Sequence, residues 1–428
     1  MVATTATAVA KARRRLVPFL FLLYVVSYLD RINVGFAALQ MNAALGFSNV
    51  TYSLGAGVFF LSYTLLEVPS NVILARVGAR RWIARIMITW GLVSASMMFV
   101  RSASAFYLLR FALGAAEAGF FPGIIYCLTR WFPTRDRARA IAGFMTAVVV
   151  AGVVGGPISG ALLSLDGIGG LAGWQWLFVV EGLPAVVLGI VVLRTLPEQP
   201  SDARWLTPAE QFALTTQLAE EARLQADVHG GNVDSIRGAM TSGRLWLLAA
   251  VYFTIPVELY AMSFWLPQIV KAASGAGDFT VGLLSSIPYA VAAVGMIVIG
   301  RHSDQTGERR WHIALSALVG GTSLALTGFV HGAVPAIVLL SLAMLGLASM
   351  LGPFWAFATS FLDGIGAAAG IALVNSVGNI GGFVGPNIVG YVREATSDFA
   401  AGLAIVGAIL TAGGLLVLCI SPRHVTKP

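Results

Sequence analysis

Gly300-Arg301-His302-Ser303-Asp304-Gln305-Thr306-Gly307-Glu308-Arg309-Arg310-Trp311 repeats, in degraded form, Asn71-Val72-Ile73-Leu74-Ala75-Arg76-Val77-Gly78-Ala79-Arg80-Arg81-Trp82. Asn71, Gly78, Arg80, Arg81 and Trp82 each stand 229 positions before Gly300, Gly307, Arg309, Arg310 and Trp311. In both places one long apolar run precedes the motif and another follows it, so each copy reads as a tight basic hairpin joining two membrane helices. A repeat at fixed offset marks two related halves. Many secondary transporters are built this way, with substrate passing between the halves.

Composition agrees. Of 428 residues, 57% are hydrophobic and only 11% charged, against about 25% charged in ordinary soluble domains. Crossing a hydrocarbon core as helix takes about 20 mostly apolar residues, because every backbone polar group must be satisfied within the segment. Runs that qualify begin near residues 16, 53, 83, 104, 139, 173, 244, 279, 312, 335, 365 and 399. The predicted fold class is an all-α polytopic membrane protein, with twelve transmembrane helices in two six-helix pseudo-symmetric halves.

An even number of crossings puts both termini on one side, and the basic residues choose it. Lys11, Arg13, Arg14 and Arg15, then Arg76, Arg80, Arg81 and Arg85, then Arg130, Arg135, Arg137 and Arg139, then Arg301, Arg309 and Arg310 fall at alternate loops. The opposite loops carry Arg101, Lys271 and Arg393. By the positive-inside bias both termini are predicted to be cytoplasmic. The net charge of +7 therefore records orientation, and arginines split among short hairpins give no footprint for nucleic acid. The first apolar run follows its basic tail without a small-residue cleavage site and is expected to remain as the first helix.

The predicted organisation is a cytoplasmic tail over 1–15, a six-helix bundle over 16–196, a cytoplasmic linker over 197–242, a second bundle over 243–421 and a tail over 422–428. The linker holds seven acids against three bases. Within it, Thr207-Pro208-Ala209-Glu210 offers an N-cap threonine, a proline at the first helical position and a glutamate three residues after the cap. That pattern predicts a short helix to about Leu224. The following His229-Gly230-Gly231-Asn232 is expected to be flexible. Helix 5 carries Gly152, Gly155, Gly156, Pro157 and Gly160, and helix 11 carries Gly378, Gly381, Gly382, Gly385 and Pro386. Both sets are read as close-packing and hinge elements.

A charge at the bilayer centre costs about 2.5–3.5 kcal/mol on insertion scales, so each one kept there points to a function or a partner. Seven fall within the spans: Asp30, Arg31, Glu67, Arg110, Glu117, Glu181 and Glu258. Arg31 and Arg110 lie at similar depths and are predicted to face one cavity. Asp30 is rotated about 100° from Arg31 on the same helix and so should meet a different partner. One reading makes the arginines counter-ions for Asp30, Glu117 or Glu67. The sharper one makes them a seat for a substrate carboxylate, whose two oxygens match the parallel N–H donors of a guanidinium. Desolvation and a nearby guanidinium pull a buried carboxyl in opposite directions, so an anion arriving at the arginines could switch protonation nearby. Glu181, after Gly173-Trp174-Gln175-Trp176-Leu177-Phe178, is read as structural, and Glu67 as either a pore residue or a buried partner. Trp355, Thr359, Asn375 and Asn379 form polar stripes that could bond across helices or complete a pocket.

Together with the hairpins, Tyr28-Leu29-Asp30-Arg31-Ile32-Asn33, Glu67-Val68-Pro69-Ser70-Asn71, Arg110-Phe111 through Glu117-Ala118-Gly119-Phe120, Phe264-Trp265-Leu266-Pro267 and Asn375-Ser376-Val377-Gly378-Asn379 resemble the major facilitator superfamily. Within it, they resemble the anion:cation symporter family of organic-anion permeases. The resemblance covers nearly the whole chain. It implies uptake of a small organic anion with protons, Asp30 and Glu117 serving proton coupling and Arg31 and Arg110 the anion. Tyr28, Tyr63, Trp355, Thr359 and Asn375 would line the substrate, and Arg81, Asp304, Gly307 and Arg309 would serve gating. The first hairpin departs from the family pattern: Ala75 stands where aspartate is usual and Asn71 where glycine is, which bears on its charge relay and not on the fold. Trp355 falls toward the cytoplasmic end of its helix, as a gate or as a residue raised by a kink at Gly352-Pro353.

The expected function is proton-coupled import of a carboxylate such as tartrate, a sugar acid or an aromatic acid. The protein is expected in a bacterial-type inner membrane, as a functional monomer whose partners are substrate, protons and lipid. Rival readings are a drug-exporting antiporter on the same fold and a transporter-like sensor that binds without moving ligand. An enzyme is not expected, since no nucleophile–base or metal-ligand constellation appears: His229, His302, His312, His331 and His424 are dispersed, and Cys127 and Cys419 lie far apart. No cofactor is expected.

Overall fold

Asn49–Val77 and Asp278–Thr306 are both single helices, and their first and last residues are 229 positions apart, so the sequence repeat is also a structural one. The structure, a computed structural model, describes residues 2–228, 241–361 and 365–420. The stretch His229-Gly230-Gly231-Asn232 and the tail at 422–428 lie outside the described residues. The first half contains α1 (Val2–Leu45), α2 (Asn49–Val77), α3 (Ala79–Ser96), α4 (Ala103–Glu117), α5 (Phe120–Thr129), α6 (Thr134–Leu163) and α7 (Gly173–Thr195). After α8 (Pro208–Val228) come α9 (Gly243–Ser274), α10 (Asp278–Thr306), α11 (Arg310–Thr327), α12 (Ala333–Thr359), α13 (Ile365–Thr396) and α14 (Ala400–Leu416). Among the described residues ten helical segments, α4 and α5 counting as one, are long and apolar enough to cross a membrane, and α11 and α13 pack among them.

Within each half the helices pack in the same pattern: α1 on α6 and α3 on α7, then α9 on α13 and α11 on α14. Between the halves α2 packs on α13 and α10 on α6, two contacts that exchange under the repeat, while α1 meets its own counterpart α9. The seam between the bundles is therefore built about a pseudo-two-fold axis that passes between α1 and α9.

Three local features differ from the sequence reading. The helix expected from about residue 16 begins at Val2. Its first turns are alanine-rich, which favours helix, and they dock on the linker: Lys11 Nζ lies 2.7 Å from Glu210 Oε1, and the Arg15 guanidinium sits 5.4 Å over the Trp205 ring. The linker helix itself starts as predicted, Glu210 Oε2 accepting from the Thr207 amide at 2.9 Å and Thr207 Oγ1 from the Glu210 amide at 3.3 Å. Lys11 and these caps hold the Glu210 carboxyl below the usual carboxylate range.

The fourth crossing, expected as one helix, is broken between Glu117 and Phe120. Gly119 adopts φ 87°, a left-handed conformation that side chains disfavour. The freed Ala118 carbonyl accepts from Ser70 Oγ at 2.6 Å, and Trp82 Nε1 donates to that same hydroxyl at 2.9 Å. Glu117 is thus the last residue of α4, held at a helix end whose loose carbonyl has been capped from α2.

At the first hairpin, the acid missing from the motif arrives from elsewhere. Glu198, just beyond α7, accepts from the amides of Ala79 at 2.5 Å and Arg80 at 3.1 Å. These are free donors of the first turn of α3, where a carboxylate also meets the favourable end of the helix dipole. Glu198→Ala is expected to cost about 1 kcal/mol, the usual worth of an N-cap, read as a lower thermal unfolding midpoint in detergent. An unchanged midpoint would show that this cap carries no stability.

Candidate functional site

On the pseudo-axis, Arg31 of α1 donates from Nη1 to the hydroxyl of Tyr260 on α9 at 3.2 Å. The two residues are 229 positions apart, the offset of the repeat. Tyr260 is thus the second half's counterpart of Arg31. The other guanidinium nitrogen, Nη2, forms an ion pair with Glu117, whose Oε1 also accepts from Ser27 Oγ at 3.0 Å. Arg31 and Glu117 are both buried, and the Arg31 guanidinium lies 5.5 Å from the Phe59 ring centre and 5.4 Å from that of Tyr63. Arg110 lies seven residues earlier in the same helix, about 10.5 Å along its axis from Glu117.

Asp30 faces the other way, as its rotation predicts. Trp90 Nε1 and Ser94 Oγ of α3 donate to it at 2.7 Å each, and Asn33 Nδ2 at 3.1 Å. Three neutral donors surround the Asp30 carboxyl where the counter-ion reading placed an arginine.

Arg110 has no accessible surface. Its Nε and Nη2 donate to the carbonyls of Gly55 at 3.3 Å and Ala56 at 3.0 Å on α2, and Nη1 has no partner among the described residues. The guanidinium lies 5.0 Å from the Phe59 ring centre, so the two arginines share one aromatic wall without sharing a partner. Of the counter-ion pairings considered, Arg31 with Glu117 is the one present among the described residues.

The remaining predicted residues gather around this core in part. Tyr63 stacks on Phe59 at 5.8 Å, and Tyr28 is buried with its hydroxyl unpartnered among the described residues. Trp355 lies 4.8 Å from the Tyr252 ring, on a helix that continues through Gly352-Pro353, and Thr359 is exposed, its hydroxyl returned to the Trp355 carbonyl at 2.8 Å. Asn375 is engaged by Glu67 across the seam, at 3.3 Å. Glu181 accepts from Ser159 Oγ at 2.8 Å within the first half, and both Glu258 oxygens are unpartnered among the described residues. At the second hairpin, Arg309 pairs with Asp304 at 2.6 Å and Gly307 turns the chain at φ 70°, while Arg81 of the first hairpin is exposed. His302 and His312, read as dispersed, meet there with ring nitrogens 2.7 Å apart, and no cluster fit for a metal ion exists among the described residues. His229 and His424 lie outside them.

Sequence reasoning missed Tyr260, Tyr252, Phe59, Ser27 and Glu198. The first was within reach, since adding the repeat offset to Arg31 gives it. The others become neighbours only through tertiary packing.

The fold and seam define a two-bundle transporter, and the comparisons agree. Residues 20–386 match the family model described as Major Facilitator Superfamily, and the chain belongs to that family. A protein of Agrobacterium vitis named for tartrate transport is 45% identical over 98% of this chain and 93% of its own length. A quinolone resistance transporter of Acinetobacter baumannii is 40% identical over 94% and 92%. Among solved structures, a bacterial homologue of the human lysosomal transporter Spinster superposes with a TM-score of 0.77 at 18% identity, covering 95% of this chain and 96% of its own, a likeness of fold alone. The chain is a membrane transporter and not an enzyme.

Proposed function

We propose that the protein imports a small organic carboxylate together with protons, through a bacterial-type inner membrane with both termini cytoplasmic and as a functional monomer. The observation that carries this is the Arg31–Glu117 ion pair on the axis between the halves. A substrate carboxylate has the same donors to satisfy as the Glu117 carboxylate, so an incoming anion exchanges with it at the Arg31 fork. Glu117, released from its guanidinium but kept from water, then takes up a proton, because an unpaired buried carboxylate is strongly disfavoured. Anion binding and proton binding are thereby one event. Asp30, held by neutral donors on the far side of α1, is the second candidate proton carrier. Arg110 anchors α2, and its Nη1, without a partner among the described residues, is a further donor at the Phe59 wall. Tyr28, Tyr63, Trp355, Thr359 and Asn375 are the proposed lining, and the Arg81 and Asp304–Gly307–Arg309 hairpins the proposed gating elements. The relative named for tartrate transport supports a carboxylate substrate.

Radiolabelled tartrate and gluconate uptake into proteoliposomes under an inward proton gradient tests this. Wild type should accumulate label. Glu117→Gln should lose gradient-driven accumulation by at least about tenfold, while exchange between internal and external substrate survives, since exchange needs no net proton movement. Gradient-driven uptake unchanged in Glu117→Gln would remove Glu117 from the coupling. A second reading, efflux of drug-like compounds, rests on the quinolone resistance relative; quinolone protection of cells without anion accumulation would favour it.

A further inference from the structure

Glu67 makes hydrogen bonds that cross the seam away from the axis. Its Oε1 accepts from Asn375 Nδ2 at 3.3 Å and its Oε2 from Asn379 Nδ2 at 3.2 Å, joining α2 of one half to α13 of the other. Glu67 is buried, and one helical turn before it on α2 stands Tyr63, whose ring centre lies 5.4 Å from the Arg31 guanidinium. The clasp therefore sits one turn, about 6 Å, toward the basic hairpins from the proposed carboxylate seat.

The chemistry of these groups is specific. A carboxylate offers acceptors only, while each asparagine amide offers two N–H donors and a carbonyl acceptor. An acceptor flanked by donors is complementary to a hydroxyl, which gives one hydrogen bond and takes another. A methylene in the same place leaves a buried carboxylate and two amides short of partners, and that penalty is what makes hydroxyl discrimination steep.

We propose that Glu67, Asn375 and Asn379 form a hydroxyl-reading subsite, which makes the preferred substrate a hydroxylated carboxylic acid and Glu67 a specificity-determining residue. The inference rests on the carboxylate reading of Arg31. A bound hydroxyl takes over the direct Glu67–asparagine bonds as a bridge between the halves, so recognition of the substrate's body occurs at a contact that the halves must make and break.

The test uses two matched pairs of acids, L-tartrate against succinate and D-gluconate against hexanoate, each pair equal in carbon number and charge and differing in hydroxyls. Each acid is titrated against thermal unfolding of the purified protein, since a ligand that binds only the folded state raises its midpoint. In wild type, half-saturation by the hydroxylated member of at least one pair should come at a concentration lower by about tenfold or more. Glu67→Leu, and independently Asn379→Leu, should bring that pair to within about threefold by weakening the hydroxylated member, either variant sufficing if the other does not fold. Arg31→Lys should weaken both members alike. Equal affinities in wild type, or a preference untouched in both variants, overturns the hydroxyl-reading subsite and leaves the carboxylate reading standing. Failure of all four acids to protect wild type overturns both.

Discussion

Arg31→Ala is expected to abolish transport, lowering uptake of a carboxylate by about a hundredfold or more, and to destabilise the protein at the same time. The two effects have separable causes. Loss of the guanidinium removes the donors for the anion, and it also leaves the buried Glu117 carboxylate with Ser27 Oγ, at 3.0 Å, as its remaining hydrogen-bond partner among the described residues. Breaking a buried pair in this way costs about 3–5 kcal/mol. Adding Glu117→Gln should restore most of the stability, since a neutral amide needs no counter-ion, yet none of the transport. Arg31→Lys should also fail, because one ammonium cannot span Glu117 and the Tyr260 hydroxyl as the planar fork does. Thermal unfolding of the single and double variants, alongside uptake, separates the terms as a double-mutant cycle. Substantial uptake by Arg31→Ala would overturn the assignment of the seat.

Gly156→Val is expected to give a folded protein that cannot carry substrate. Gly156 of α6 faces Gly282 of α10 across the seam, at the end remote from the basic hairpins. A Cβ on Gly156 would lie 2.2 Å from the Gly282 carbonyl oxygen, and one on Gly282 would lie 2.2 Å from the Gly156 carbonyl oxygen. Both obstacles are backbone, so no rotamer relieves them, and overpacking of this kind typically costs about 1–3 kcal/mol. That penalty falls on the approach of the two halves and spares the packing within each. Gln40 Nε2 and Asp278 Oδ2, 2.8 Å apart nearby, give a reporter. In a background with Gln40→Cys and Asp278→Cys, cross-linking should be efficient and should drop at least about fivefold when Gly156→Val is added, with uptake falling in parallel. Undiminished cross-linking would show that the helices yield instead.

The parts legible in the sequence were those that depend on one helix or on the repeat. Apolar run lengths place the crossings, the Thr207–Glu210 spacing places the linker helix, and the rotation between Asp30 and Arg31 predicts that they meet different partners, as Trp90 and Glu117 bear out. Illegible features were those made by packing. Nothing in the apolar pattern of 104–129 signals the break at Ala118-Gly119, because membrane helices tolerate glycine and the interruption is stabilised by Ser70, forty-eight residues away in the chain. The role of Glu198 is hidden for the same reason, its partners lying 118 and 119 positions earlier. Arg110 was expected beside Arg31 in one cavity, and depth along a helix does place both at the Phe59 wall. Rotation about the helix axis, which depth does not fix, gives Arg110 to the carbonyls of α2.

The coincidence of Arg31 and Tyr260 with the pseudo-two-fold axis has a mechanical consequence. If, as proposed, Arg31 seats the substrate, the two bundles rock about that seat during transport, and displacement grows with distance from it. A cargo so moored would be handed from one compartment to the other almost without travelling. Any difference in grip between the two faces would then arise away from the seat, at contacts between the halves such as those of Glu67 with Asn375 and Asn379.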